Sequence, residues 1–103
     1  MIHVVAIITA HAGRRDEILT HMRANIPAVL AEDGCIEYGP AIDTDGVGAI
    51  QAPIGPDAFM VIEKWASVDA LKAHAAAPHM KEYGARTKDM IASRVIHVLS
   101  PAS

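Results

Sequence analysis

Nothing in the chain restricts its fold more than the change of period between residues 58 and 76. Phe59, Val61, Glu63 and Trp65 share one parity, and Ala58, Met60, Ile62, Lys64 and Ala66 the other, which is the two-residue alternation of a strand. Beyond Ser67 the spacing becomes helical. Ser67 suits an N-cap because its hydroxyl can accept a backbone N–H of the first turn, and Asp69 then lies where the helix dipole favours negative charge. A strand therefore hands directly to a helix. The handover brings the only tryptophan to the strand's end and His74 about two turns into the helix, both at the rim of the space between sheet and helix.

Residues 2–10 are rich in β-branched side chains and predict a first strand, with Val5 and Ile7 on one parity and Ile2, Val4, Ala6 and Ile8 on the other. Both faces ask for an apolar cover. Helices of a short chain can supply one, and a second subunit is the economical candidate for the other. From about Arg14 to Asp33, Ile18, Met22, Ile26, Val29 and Leu30 form one apolar stripe of a helix that starts with acidic Asp16 and Glu17. Pro27 predicts a kink or break near Asn25, and Gly34 a left-handed C-terminal cap; His21 and Asn25 read as solvent-facing or local capping residues.

Cys35–Asp43 predicts a second strand whose Gly39-Pro40 argues for an edge position or a bulge. Residues 43–57 form a long connection, with a short strand expected around Ala49–Gln51. Pro78 ends one helix and starts another, with Met80, Tyr83, Thr87 and Met90 or Ile91 as its buried stripe and Gly84 as a weak point. Val95–Leu99 closes the chain as a fourth strand. The order βαββαβ is that of an α+β, ferredoxin-like fold, an antiparallel sheet with helices on one face, built as one domain over residues 1–103.

Composition narrows the partners. A net charge of −3 with nine basic residues gives no general attraction to a phosphate backbone, so nucleic acid is not expected. The single Cys35 excludes an intrachain disulfide and fits a reducing compartment. Neither a secretory leader nor an apolar run of the ~18 residues a membrane span needs is present, so a cytoplasmic protein off the membrane is expected.

The chain has no glycine-rich dinucleotide fingerprint, phosphate loop, paired cysteines or G-x-S-x-G elbow. His74 and His79 are five apart across a proline, not the three or four that converge on one ion along a helix, and no metal site is expected. Cys35 reads as a small apolar residue rather than a nucleophile. What remains is an apolar cavity with a few polar groups: Trp65 and Glu63 from a strand, Tyr38 from its neighbour, and His74, His79, Met80, Tyr83 and Arg86 from the helices. In ordinary folds Trp65 and Met80 are more often core than cavity wall, and Tyr38 and Tyr83 more often core residues whose hydroxyls reach the surface. Glu63, Arg86 and His79 are more often surface ion-pair members, and His74 either faces the cavity as a base or faces water.

At these residues the chain resembles the antibiotic biosynthesis monooxygenase superfamily. The matching runs are Val29-Leu-Ala-Glu-Asp-Gly-Cys-Ile-Glu-Tyr38, Ile62-Glu-Lys-Trp65, Leu71-Lys-Ala-His74 and Ala77-Pro-His-Met-Lys-Glu-Tyr83. The resemblance implies a homodimer whose sheets pack face to face as a dimeric α+β barrel, and a pocket between sheet and helices. It also implies oxygenation of a phenolic substrate, such as a quinol, by O₂ without flavin, haem or metal. For such chemistry the expected roles are His74 as base or its relay, Trp65 and Tyr38 as walls of the slot, and Arg86 or His79 as the group that stabilises negative charge; Glu63, His79, Met80 and Tyr83 with Tyr38 are the expected substrate contacts. Haem degradation within similar folds uses a strand-one asparagine that this chain lacks. An isomerase of a small phosphorylated dione, needing Arg86, Lys81 or Arg94 as a phosphate site, and a non-catalytic dimeric binder or stress protein are the competing readings.

Overall fold

A computed structural model describes residues 1–103. Its elements are β1 (Ile2–Ala10), α1 (Arg15–Leu30), β2 (Cys35–Ala41), β3 (Ala58–Trp65), α2 (Val68–Ala76), α3 (Pro78–Thr87), a 3₁₀ turn (Lys88–Met90) and β4 (Ile91–Leu99). The strands form one antiparallel sheet in the order β2-β3-β1-β4, the ferredoxin-like arrangement expected from the element order. No helix is long and apolar enough to cross a membrane.

Strand parity decides what the helices cover. Ile2, Val4, Ala6, Ile8 and Ala10 of β1 and Phe59, Val61 and Trp65 of β3 are buried beneath Ile18, Leu19, Met22 and Val29 of α1. The other parity, including Val5, Ile7, Ile62, Val95 and Leu99, lies on a face that no element of the chain covers, and Ile62, Val95 and Leu99 are exposed there. The two apolar parities of the first strand are therefore treated differently within one chain: one is core, the other bare.

Ser67 caps α2 as expected, its Oγ accepting the Ala70 N–H at 3.1 Å. Ala77 is extended and Pro78 opens α3, so the helical region splits where the proline predicts. Four expectations need correction. α1 runs unbroken through Pro27 to Leu30. The missing N–H deprives only the carbonyl of exposed Arg23, near the helix end where water can serve it, while Ile26 and Val29 hold the last turn against the core. Leu19 is buried and Leu30 exposed, the reverse of the expected stripe.

No strand forms at Ala49–Gln51. Asp43 organises the connection instead, its carboxylate accepting from Gln51 Nε2 at 3.3 Å and from the Ile54 and Gly55 N–H groups at 3.0 Å each. These donors hold the Asp43 carboxyl below its ordinary value. The last strand starts at Ile91, four residues earlier than expected, which takes Ile91 out of the helical stripe. β2 is the edge strand that Gly39-Pro40 suggested, pairing with β3 alone; its register shift falls between Cys35 and Glu37.

Candidate functional site

Three rows of the sheet floor a cavity of about 290 Å³ beneath the helices. In register, Tyr38 of β2 stands beside Glu63 of β3, which stands beside Val4 of β1; Val61, Ala6 and Ile96 form the next row, and Ile8 and Arg94 lie beyond. Leu71, His74 and Ala75 of α2 and Met80, Tyr83 and Gly84 of α3 roof it. Twelve of the sixteen lining residues are hydrophobic, so charges that face the cavity have little water to compete with them.

His74 is the best-positioned polar group. Its side chain is 7% exposed, and its Nδ1 lies 2.7 Å from Glu32 Oε2. A carboxylate can only accept, so Nδ1 donates to it, and Nε2 is the ring nitrogen left outside that contact. The ring is boxed by Trp65, tilted at 4.6 Å between centroids, and by the Tyr38 ring edge at 5.4 Å. Glu32 reaches α2 because the turn before β2 comes very close to it. Gly34 has φ +83°, its carbonyl accepts the Ala66 N–H at 2.8 Å, and a Cβ there would lie 2.7 Å from the Ala70 Cβ. Gly34 thus takes the left-handed conformation expected of it, but in this turn rather than as the cap of α1, which is Ala31.

Glu63 is buried, and its Oε1 accepts the Trp65 indole N–H at 2.8 Å. It is no surface ion-pair member. Burial pushes its carboxyl above the ordinary value, opposed by the indole donor and by His74. Burial also raises both phenols, Tyr38 strongly and Tyr83 to about 12, which keeps them protonated as donors. The Cys35 thiol is pushed up by partial burial and by Glu32 and Glu63, so it is a poor nucleophile.

The Glu63 shift has a measurable sign. A carboxyl raised on folding contributes most below its unfolded value, about 4.3, and the contribution is lost as pH rises through the folded value. Glu63→Gln keeps an acceptor for Trp65 and cannot ionise. Its Tm is therefore expected to match the parent near pH 4 and to exceed it as pH rises, levelling off once the folded Glu63 has ionised. A gap that is constant with pH would contradict the assignment.

Of the other expected residues, Met80, Tyr83, Tyr38 and Glu63 line the cavity as anticipated, whereas Trp65, His79 and Arg86 do not. Trp65 is fully buried behind Glu63 and His74 and so supports the wall rather than forming it. Arg86 stays outside, half exposed and paired with Glu82 at 3.5 Å, because fully buried Thr87 takes the inward position of that turn. The cation that does line the cavity is Arg94. Starting the last strand at Val95 left Arg94, named only as a phosphate candidate, outside it; the strand from Ile91 places Arg94 on the parity of Ile96 and Val98, which faces the helices.

His79 joins His74 indirectly. The two rings lie 6.5 Å apart and both approach Glu32, despite a spacing that does not suit a metal pair. Asn25 is not a mere solvent residue, since its Oδ1 lies 3.2 Å from His79 Nδ1 and its Nδ2 donates to Met80 Sδ at 3.3 Å. Sequence spacing could not show the Glu32–His74 pair, which joins residues 42 apart.

A family model described as Antibiotic biosynthesis monooxygenase matches residues 1–86. The "Probable quinol monooxygenase YgiN" of Escherichia coli (strain K12) is 34% identical to this chain, the match covering 98% of each. Two solved structures share the fold. PA3566 from Pseudomonas aeruginosa gives a TM-score of 0.80 at 22% identity, covering 99% of this chain and 94% of its own. Rv0793 from Mycobacterium tuberculosis also gives 0.80, at 24% identity, covering 99% of this chain and 95% of its own.

Proposed function

This chain belongs to the antibiotic biosynthesis monooxygenase family, and from that premise we propose that it oxidises a quinol or related polycyclic phenol with O₂, using side chains in place of flavin, haem or metal. The observation that carries this reading is the 2.7 Å Glu32–His74 contact at the wall of an apolar cavity, which leaves Nε2 of a buried imidazole free to take a proton. At about 290 Å³ the cavity is at the small end of the ~300–1,000 Å³ typical of ligand sites, which suits two or three fused rings.

The steps balance on the substrate and O₂ alone. His74 Nε2 takes the hydroxyl proton, and the resulting anion passes one electron to O₂. The radical pair then joins at an unsubstituted ring carbon beside the ionised oxygen, and the outer peroxide oxygen takes back the proton. Loss of the ring C–H proton with cleavage of the O–O bond leaves a new carbonyl, and the released hydroxide takes up that proton as water. One oxygen atom enters the ring and the other leaves as water. Glu63, Tyr38, Tyr83 and Arg94 supply donors and positive charge for the developing oxyanion in a site with little water.

The active unit is a homodimer. Two copies pack through the bare sheet faces, burying Val5, Ile7, Ile62, Val95 and Leu99, and free Cys35 suits a reducing cytoplasm. The phosphorylated-dione alternative is left with little support, because Arg86 is paired with Glu82 and Lys81 is exposed, leaving Arg94 as the one cation at the cavity.

Oxygen uptake with a naphthoquinol, corrected for autoxidation, tests the reading. One O₂ consumed per oxygenated product without hydrogen peroxide is expected; binding without uptake contradicts it. Gly84 offers a second test. It lines the cavity from mid-helix, and an added Cβ would meet nothing within 4 Å. Gly84→Ala is therefore expected to stabilise the protein by about 0.5–1 kcal/mol while narrowing the slot, so that three-ring substrates lose turnover more than two-ring ones. Equal loss across ring sizes would remove Gly84 from the slot.

A further inference from the structure

We propose that the substrate is a quinol carrying a carboxylate on the ring remote from the reacting hydroxyl, and that Arg94 at the cavity mouth holds that carboxylate. The proposal rests on the oxidative reading for the seat of the hydroxyl, whereas the charge distribution behind it is a property of the cavity alone. Arg14, Arg15 and Arg86 each face a carboxylate; Arg94, the one cation lining the cavity, has neither an ion-pair partner nor a side-chain hydrogen bond within the chain. A guanidinium presents its N–H donors as a planar fork that matches a carboxylate oxygen for oxygen. No group of this chain takes that fork.

Strand register puts this cation and the base at opposite corners. His74 stands over the β2–β3 end, its ring 5.4 Å from Tyr38 and 4.6 Å from Trp65 between centroids, and Tyr38 shares a row with Glu63, Val4 and Val98. Arg94 pairs with Ile8 on the far edge strand, four residues along from Val98. At ~3.3 Å per residue and ~4.8 Å between strands, the backbones of Tyr38 and Arg94 lie roughly 13 Å apart along the strands and roughly 14 Å apart across them. One functional group cannot serve both corners. A flat guest that offers its hydroxyl to His74 lays its far ring over Ala6 and Ile96 toward Arg94. Tyr83 lies on that path, close enough to Arg94 for the guanidinium to pull its phenol down against burial.

Charge then decides which end of the guest goes where. The His74 corner holds the Glu32 carboxylate and the Glu63 carboxyl, so an anionic substituent seated there would meet like charge. At the other corner Arg94 and its neighbours Ile96 and Val98 are exposed, so a carboxylate held there keeps part of its hydration and escapes most of the cost of burying a charge. A single guanidinium offsets one negative charge, which suits a carboxylate, whereas a phosphate ester carries nearly two. The positive charge that Arg94 brings to the slot thus comes from the end opposite the base. Its consequence is selectivity: Arg94 fixes which ring of a fused pair meets His74.

Calorimetric binding to the whole protein tests this without any oxygen chemistry. The probes are a naphthoquinone bearing a carboxylate on the ring without oxygens, and its carboxamide, which has nearly the same shape and no charge. The parent is expected to bind the acid about tenfold more tightly than the amide, Arg94→Gln to bind the two alike, and Arg94→Glu to prefer the amide. Each protein is judged by the ratio of its two affinities, so a general loss of binding does not imitate the effect. Moving the carboxylate to the quinone ring should abolish the parent's preference, because the charge then sits at the Glu32 end. A parent indifferent to the charge, or a preference that survives in Arg94→Gln, overturns the proposal. Oxygen uptake with the matching quinols separates the two readings. A parent that prefers the acid through Arg94 yet consumes no O₂ sinks the oxidative reading and leaves the anion site standing, whereas equal kcat/KM for acid and amide quinols sinks the Arg94 proposal alone.

Discussion

His74→Gln is expected to lower quinol turnover by about 10²- to 10⁴-fold, the range that a positioned general base contributes. Glutamine is close in reach, and its amide N–H can still meet Glu32, so the cavity wall between Trp65 and Tyr38 keeps most of its shape. What is lost is the free ring nitrogen. KM should therefore change little while kcat falls, the pattern of an interaction that matters in the transition state. Stopped-flow oxidation of an anaerobically prepared quinol, mixed with oxygenated enzyme, separates this from autoxidation. If the variant keeps more than about a tenth of the parent rate, the base lies elsewhere, and Glu63 becomes the candidate.

Gly34→Ala is expected to destabilise the protein by about 2–4 kcal/mol, combining left-handed backbone strain with overpacking. The added methyl would lie 2.7 Å from the Ala70 Cβ, so either the turn or α2 has to move. That movement carries Glu32 away from His74, and activity should fall along with stability. For a domain of this size the loss corresponds to a Tm lower by at least about 10 °C. Gly46 provides the comparison, since its φ is +78° but nothing surrounds an added Cβ. Gly46→Ala should show only the backbone part, about 1–2 kcal/mol. Ala70→Gly in the Gly34→Ala background should recover stability by relieving the contact, a coupling that a double-mutant cycle measures directly. Equal effects at Gly34 and Gly46 would mean that the close approach of turn and helix contributes nothing.

The legible parts of this chain were those encoded by local chemistry. Parity marked β1 and β3, the Ser67 hydroxyl marked the start of α2, and Pro78 marked the break before α3, each a rule acting within a few residues. Pro27 misled because its cost depends on how near it lies to the helix end and on how firmly Val29 is held, neither of which is local. Within the site, His74, Tyr38, Glu63, Met80 and Tyr83 could be named because they lie on strands and helices that the local pattern makes recognisable. Glu32 and Arg94 could not be given their places. Glu32 is brought to His74 by a tertiary contact through Gly34, and Arg94 faces the cavity only when β4 is paired with β1 from Ile91 onward. The polar residues that complete such a cavity come from separate elements, so their convergence is a property of the fold and not of any one stretch.

Isotopic labelling reaches the central claim most directly. With ¹⁸O₂ and a naphthoquinol bearing one unsubstituted carbon beside a hydroxyl, enzyme freed of flavin and metal should place one labelled atom in the quinone product and the other in water. The label should fall to the enzyme-free background in His74→Gln. Unlabelled quinone accompanied by labelled hydrogen peroxide would contradict the account, because it would mean that the cavity only hosts an autoxidation that O₂ performs without it.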